Sequence, residues 1–206
     1  MSDALHEFDK GFYDKYNVVC GIDEAGRGPL AGDVFAAAVV FDADTVIDGI
    51  NDSKKLSEKK REQLFDEICE KARCYCIATA SVEEIESINI LGAAMLAMKR
   101  AAEGLECKPD IALVDGNCSP SLECDTQTVV KGDAKSQSIA AASILAKVAR
   151  DRYMLQMSEK YPQYLFEKHK GYGTKLHYQM IDEHGVSEIH RLSFLKKYFA
   201  AKDKEK

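Results

Sequence analysis

The sequence predicts an α/β protein. Five short runs of strand length, four of them largely apolar (residues 18–22, 34–41, 74–82 and 111–114) and one mixed (126–130), are interleaved with three long stretches of helical spacing (57–71, 83–104 and 136–161). Acidic residues follow three of those runs, Asp23 with Glu24, Asp115 and Asp133, and a glycine-rich stretch separates the first run from the second.

The first two runs flank GIDEAGRGPLAG. A phosphate-cradling dinucleotide loop is one reading of Gly26-x-Gly28. It fails because a parallel crossover needs a helix, whereas only about ten residues separate the carboxylates from the next run. Pro29 also has no amide to offer a phosphate. An antiparallel hairpin with a long, shaped turn is expected instead. Successive strand residues point to opposite faces, so Asp23 and Glu24 share one site only if the chain ends or bends between them and the glycines.

After a polar loop, Ser57 is placed to cap a helix with Leu64, Phe65 and Ile68 on one face. Lys54, Lys55, Lys59, Lys60 and Arg61 crowd its start. Such a run reads first as a solvated face, although cations at a helix N-terminus oppose its dipole and so hint at an anionic partner. The helix over 83–104 draws its apolar face from Ile85, Ile88, Leu91, Met95 and Met98. The fourth run ends in Asp115-Gly116-Asn117, at the C-terminal strand end where open α/β sheets place their sites. The fifth ends in Lys131-Gly132-Asp133. A long alanine-rich helix over 136–161 is stopped by Pro162, and its Lys147, Arg150 and Arg152 read first as a solvated face and otherwise as facing a substrate. Beyond it lie the loop HKGYGT, a short helix over 176–183 and a basic tail, His190-Arg191 and Lys196-Lys197.

With 206 residues, 46% hydrophobic and 30% charged, the chain suits one large domain. A net charge of −6 gives no global attraction for nucleic acid, so a polyanion would have to be held by local basic clusters or bound metal. The charged N-terminus lacks a signal-peptide core, and the best apolar stretch is broken by Lys99 and Arg100, so a cytoplasmic protein with no membrane contact is expected. Seven cysteines without a paired C-x-x-C read as reduced, mostly buried thiols rather than a zinc site. His169, His177, His184 and His190 match no metal-ligand spacing and read as isolated histidines.

Carboxylates gathered from three strand ends repel one another and stay ionised only around a cation. With no cysteine or histidine beside them, the donors favour Mg2+ or Mn2+, and two such ions can clamp a phosphodiester for in-line hydrolysis. Tyr172 among Lys168, Lys170 and Lys175 has the makeup of a platform for a sugar or base.

GIDEAGRGPLAG, NDSKKLSEKKR, NILGAAMLAMKRA, LVDGN, VVKGD, IAAASILAKVARD, PQY, HKGYGT and HRLSF occur in the order of one family. Over residues 18–194 the sequence resembles bacterial ribonuclease HII, the type 2 ribonuclease H. The resemblance implies a ribonuclease H-like mixed five-stranded sheet flanked by helices, with a small helical C-terminal region. It implies a single catalytic domain over 1–206, with the core at 17–161 and the HKGYGT loop in a helical part at 162–206. The family's metal-binding carboxylates fall on Asp23, Glu24, Asp115 and Asp133, and its ribonucleotide-contacting turn on Gly26, Arg27 and Gly28. Its sugar-stacking tyrosine falls on Tyr172. Independently of the resemblance, Lys54, Lys55, Lys168 and Lys170 are expected to contribute sequence-independent attraction for substrate phosphates. The implied reaction is metal-dependent hydrolysis of the RNA strand of RNA–DNA hybrids, and cutting 5′ of single ribonucleotides in duplex DNA, leaving 3′-hydroxyl and 5′-phosphate ends. A monomer is expected, with a sliding-clamp contact through the C-terminal tail as a further implication. The alternative is a hybrid-binding module without catalysis, which the intact carboxylate set opposes. Asp33 departs from the family, standing where similar sequences often have proline.

Overall fold

The computed structural model describes residues 2–202 and 204. Five strands form one sheet: β1 (Val19–Ala25), β2 (Val34–Val40), β3 (Cys74–Ala80), β4 (Ile111–Asp115) and β5 (Asp125–Val129), in the order β3-β2-β1-β4-β5. β1 pairs antiparallel with β2, and β2 with β3, while β4 runs parallel to both β1 and β5. The expected hairpin and mixed sheet are both present.

Alternation along the strands sends neighbouring side chains to opposite faces. Ile22, Ala36, Ala38 and Val40 meet α3 (Val82–Glu103) on one face. Ala37, Val39 and Phe41 meet α2 (Glu58–Lys71) and α4 (Gln137–Lys160) on the other. The alanines of α4 let it lie almost on β1: a Cβ added to Gly21 would fall 2.1 Å from the Ser138 carbonyl carbon. Ser57, Ser81 and Ser136 each accept a backbone N–H at a helix start, from Lys60, Glu84 and Ile139.

Three features of the main body depart from the sequence reading. α1 (Ser2–Tyr13) was not foreseen; it packs Leu5 into the core, and its buried Asp9 accepts the Ser138 N–H and hydroxyl, both at 2.8 Å, at the head of α4. α3 kinks at Asn89 (φ 61°), whose side chain caps the second segment through the amides of Leu91 and Gly92. The kink breaks the 3.6-residue register, so Ile88 and Leu91 are exposed instead of continuing the face of Ile85 and Met98. Cys74 and Cys107 are joined by a disulfide, which corrects the expectation of reduced thiols throughout. Their separation of 33 residues carries no pairing signal, and only the fold brings an edge strand against the loop after α3. Cys20 is buried, but Cys118 is exposed.

The chain ends in α5 (Phe166–His169), α6 (Lys175–His184) and α7 (Leu192–Lys202). α7 replaces most of the expected tail, of which residues 203, 205 and 206 lie outside the described residues. Leu30 and Ala31, from the turn between β1 and β2, are buried against this C-terminal part. No helix among the described residues is long and apolar enough to cross a membrane.

Candidate active site

Because Ile22 pairs with Val114 in parallel register, Asp23 and Asp115 are next-door neighbours at the C-terminal ends of the two central strands, on one face. Asp115 Oδ1 accepts the N–H of Gly132 at 2.6 Å and that of Asp133 at 3.4 Å, so the turn after β5 is folded onto β4 and delivers Asp133 to the same place. Burial raises the Asp23 carboxyl well above its usual range, and the charges of Glu24 and Asp115 add to it, against a hydrogen bond from Ser143. Burial also raises Asp133, reinforced by Asp52 and Asp115.

Glu24 is reached differently from the way the sequence suggested. β1 continues through Glu24, which pairs with Ala36, and the bend comes at Gly26 (φ 103°). Glu24 therefore lies on the opposite side of the strand from Asp23 and holds Arg27 at 3.2 Å. Only glycine fits at Gly26, since a Cβ would lie 2.3 Å from Arg150 Nε in a left-handed backbone.

Lys54 leans over the acidic group. Partial burial would lower its pKa, but Asp133, Asp23, Asp52 and Asp115 together raise it. Asp52, which sequence reasoning passed over, accepts the Lys54 N–H at 2.9 Å and stands beside Asp133. Lys55 is exposed, 3.7 Å from Asp52. Lys168 is exposed and away from any ion pair among the described residues, whereas Lys170 donates to the Glu167 carbonyl at 2.7 Å and gives its own carbonyl to Arg150. No three carboxylate, imidazole or thiol groups are drawn into a closed metal cage among the described residues. The all-oxygen donor set of Asp23, Asp115 and Asp133 suits a hard divalent ion.

Tyr172 is 42% exposed, with Lys147 Nζ 5.9 Å and the Arg150 guanidinium 5.8 Å from its ring. The space a Cβ on Gly28 would fill lies 3.8 Å from Tyr172 Cε1, so turn and ring are adjacent. Two groups read as solvated or as tail are buried instead. Arg150 and Arg191 are both 0% exposed, because the C-terminal helices cover the turn with which they bond. Asp151 pairs with Lys147 at 2.6 Å and Arg61 at 4.0 Å.

The histidines are not isolated. His169 stacks on His177 at 4.4 Å, and His177 Nε2 meets His190 Nε2 at 3.0 Å. Ser187 donates its N–H to His190 Nδ1, so His190 donates to His177, which in turn donates from Nδ1 to the Tyr172 carbonyl at 3.0 Å. Burial and the neighbouring rings push His177 and His190 from 6.5 to about 4. The stability gained by keeping both rings neutral is full above pH 6.5 and is lost as pH falls toward 4, since the unfolded chain takes up those protons first. Unfolding free energies from urea at pH 7 and 5 should differ by about 2–3 kcal/mol for the pair, and His177→Gln should remove about half of that difference. Equal free energies would show the rings protonating in place.

Solved structures share this fold. The ribonuclease H2 of Pyrococcus horikoshii OT3 superposes with a TM-score of 0.71 at 27% identity, covering 85% of this chain and 93% of its own. A ribonuclease HII solved in complex with PCNA, from Archaeoglobus fulgidus, gives 0.67 at 28% identity, covering 84% and 93%. Sheet, helices and the acidic strand ends thus define a nuclease of the ribonuclease H class. The family model for ribonuclease HII matches residues 20–197, and a ribonuclease HII of Caldicellulosiruptor bescii is 55% identical over 188 residues, 91% of each chain. This chain belongs to the ribonuclease HII family: it is an endoribonuclease acting on RNA–DNA hybrids.

Proposed function

We propose that the enzyme, beyond cleaving hybrids, cuts duplex DNA 5′ of a single embedded ribonucleotide, leaving 3′-hydroxyl and 5′-phosphate ends, and so serves ribonucleotide removal from DNA. The observation that carries this reading is the junction of two parts: the acidic strand ends of Asp23, Asp115 and Asp133, and the Gly26-Arg27-Gly28 turn lying against Tyr172. Asp23, Asp115 and Asp133 would hold Mg2+ or Mn2+ from one face, with Glu24, whose side chain leaves β1 on the other side but whose charge still reaches Asp23, as the fourth carboxylate; the ion when bound supplies charge stabilisation to the phosphodiester under attack. The protein's own groups do the rest. Lys54, Lys55, Lys168 and Lys170 attract backbone phosphates without regard to sequence, and backbone groups of the glycine turn approach the 2′-hydroxyl that distinguishes RNA from DNA. Tyr172 sets the following sugar. We place the protein in the cytoplasm as a monomer; the archaeal complex with PCNA supports a clamp contact, which we assign to the C-terminal tail.

Incubation with a duplex carrying one ribonucleotide, with and without chelator, tests the reading. Cleavage is expected at that residue alone and only with metal; cleavage of the all-deoxy duplex would overturn it. Tyr172→Ala should lower junction cleavage about 10- to 100-fold, the scale of a lost stacking contact, while leaving affinity for all-deoxy duplex unchanged. Equal weakening towards every duplex would make Tyr172 a general contact.

A further inference from the structure

Arg191 is fully buried, and all five of its guanidinium N–H groups are used on the turn between β1 and β2. Nη2 donates to the Gly26 carbonyl at 2.7 Å and to that of Gly32 at 2.6 Å. Nη1 donates to Arg27 at 3.2 Å and Pro29 at 2.8 Å, and Nε donates to Gly32 at 2.9 Å. The backbone adds to this clamp: the Arg191 N–H reaches the Leu30 carbonyl and the Gly32 N–H reaches that of Ile189, both at 2.8 Å.

In a planar trans peptide the C=O and N–H point in opposite directions. Carbonyls of Gly26 and Arg27 turned in to Arg191 therefore turn the N–H groups of Arg27 and Gly28 out. The same rule is visible two peptides on, where Pro29 gives its carbonyl to Arg191 and the Leu30 N–H points away, to the Gly171 carbonyl at 2.8 Å, next to Tyr172. The Arg27 and Gly28 amides make no backbone hydrogen bond among the described residues. Two adjacent outward amides without a partner form a cradle for an oxygen ligand.

We propose that Arg191 is a positioning residue that aims the Arg27 and Gly28 amides at the 2′-hydroxyl, a role that rests on reading this turn as the ribonucleotide-recognition element. A lysine keeps the charge but offers three donors from one point and cannot span four carbonyls. Binding is measured in chelator with a duplex carrying one ribonucleotide and with the all-deoxy duplex of the same sequence. Arg191→Lys should lose about 10-fold of the preference for the first, at unchanged affinity for the second. Gly28→Ala, whose methyl group meets nothing closer than Tyr172 at 3.8 Å, should lose the preference too by blocking the approach.

If Gly28→Ala loses the preference and Arg191→Lys keeps it, the role of Arg191 is overturned and the reading of the turn stands. If both keep it, the reading of the turn itself falls, and the role of Arg191 with it. Should Arg191→Lys fail to fold, amide hydrogen exchange on the unaltered protein decides. The Arg27 and Gly28 amides should exchange freely, slowing with the ribonucleotide duplex and not with the all-deoxy one. Protection of both amides in the free protein, or no slowing, would overturn the proposal.

Discussion

Asp115→Asn is expected to lower turnover by about 1,000-fold or more, the scale of several kcal/mol of lost transition-state stabilisation. The amide keeps an oxygen where Oδ1 accepts the Gly132 N–H at 2.6 Å, so the turn carrying Asp133 should stay in place. What is lost is charge. Asp115 is a source of the repulsion that raises both Asp23 and Asp133, so its neutralisation relieves strain in the free protein, and thermal stability should hold or rise. Affinity for a hybrid in chelator should also hold or improve, because one negative group facing the phosphates is gone. Single-turnover kinetics beside a melting curve separate these effects. Near-normal turnover would remove Asp115 from the site, and a lowered melting temperature would mean that the charge itself holds the turn.

Gly21→Ala should be the most damaging small change away from the carboxylates. The added Cβ would sit 2.1 Å from the Ser138 carbonyl carbon, 2.3 Å from the Ile139 nitrogen and 2.4 Å from the Ser138 oxygen, all backbone atoms with no rotamer to yield. Nor can α4 lift away cheaply, because its first turn is gripped by Asp9 from α1 and capped by Ser136. A cost above about 4 kcal/mol is expected, a large share of an ordinary domain's stability, with a melting temperature lower by about 10 °C or more. If the variant melts like the parent, α4 and β1 do not pack at this distance.

Four of the strands were legible as compact apolar runs, β5 (DTQTV) only from its threonines and valine, and the hairpin because the stretch between its strands is too short for a crossover. The helix over Ser2–Tyr13 was hidden by its charges, although Leu5, Phe8 and Phe12 recur at helical spacing once the charges are set aside. Acidic residues at strand ends pointed to Asp23, Asp115 and Asp133, but no local pattern could bring Asp52 beside Asp133. That contact depends on how two loops distant in sequence fold over the sheet. Arg191 was the largest miss among the charged residues. A basic dipeptide near the end of a chain looks the same whether water or four carbonyl groups surround it, and only the C-terminal helices decide which. Asp33, noted in the sequence only as a departure from its relatives, caps the Val82 N–H at 3.1 Å, and its negative charge is felt by both buried arginines.

The clamp formed by Arg191 also has a bearing on synthesis. The bonds it makes join residues 159 to 165 positions apart, so the glycine turn, among the first segments to leave the ribosome, has no partner for its inward carbonyls until nearly the whole chain has been made. Contacts of such span form late and slowly. A nascent chain holds all five strands and their acidic ends before Arg191 exists, so on the proposed reading of the turn the power to cut would precede the power to choose. Chains stopped before and after residue 191, compared for their preference between ribonucleotide and all-deoxy duplex, would show whether selectivity arrives with that one arginine.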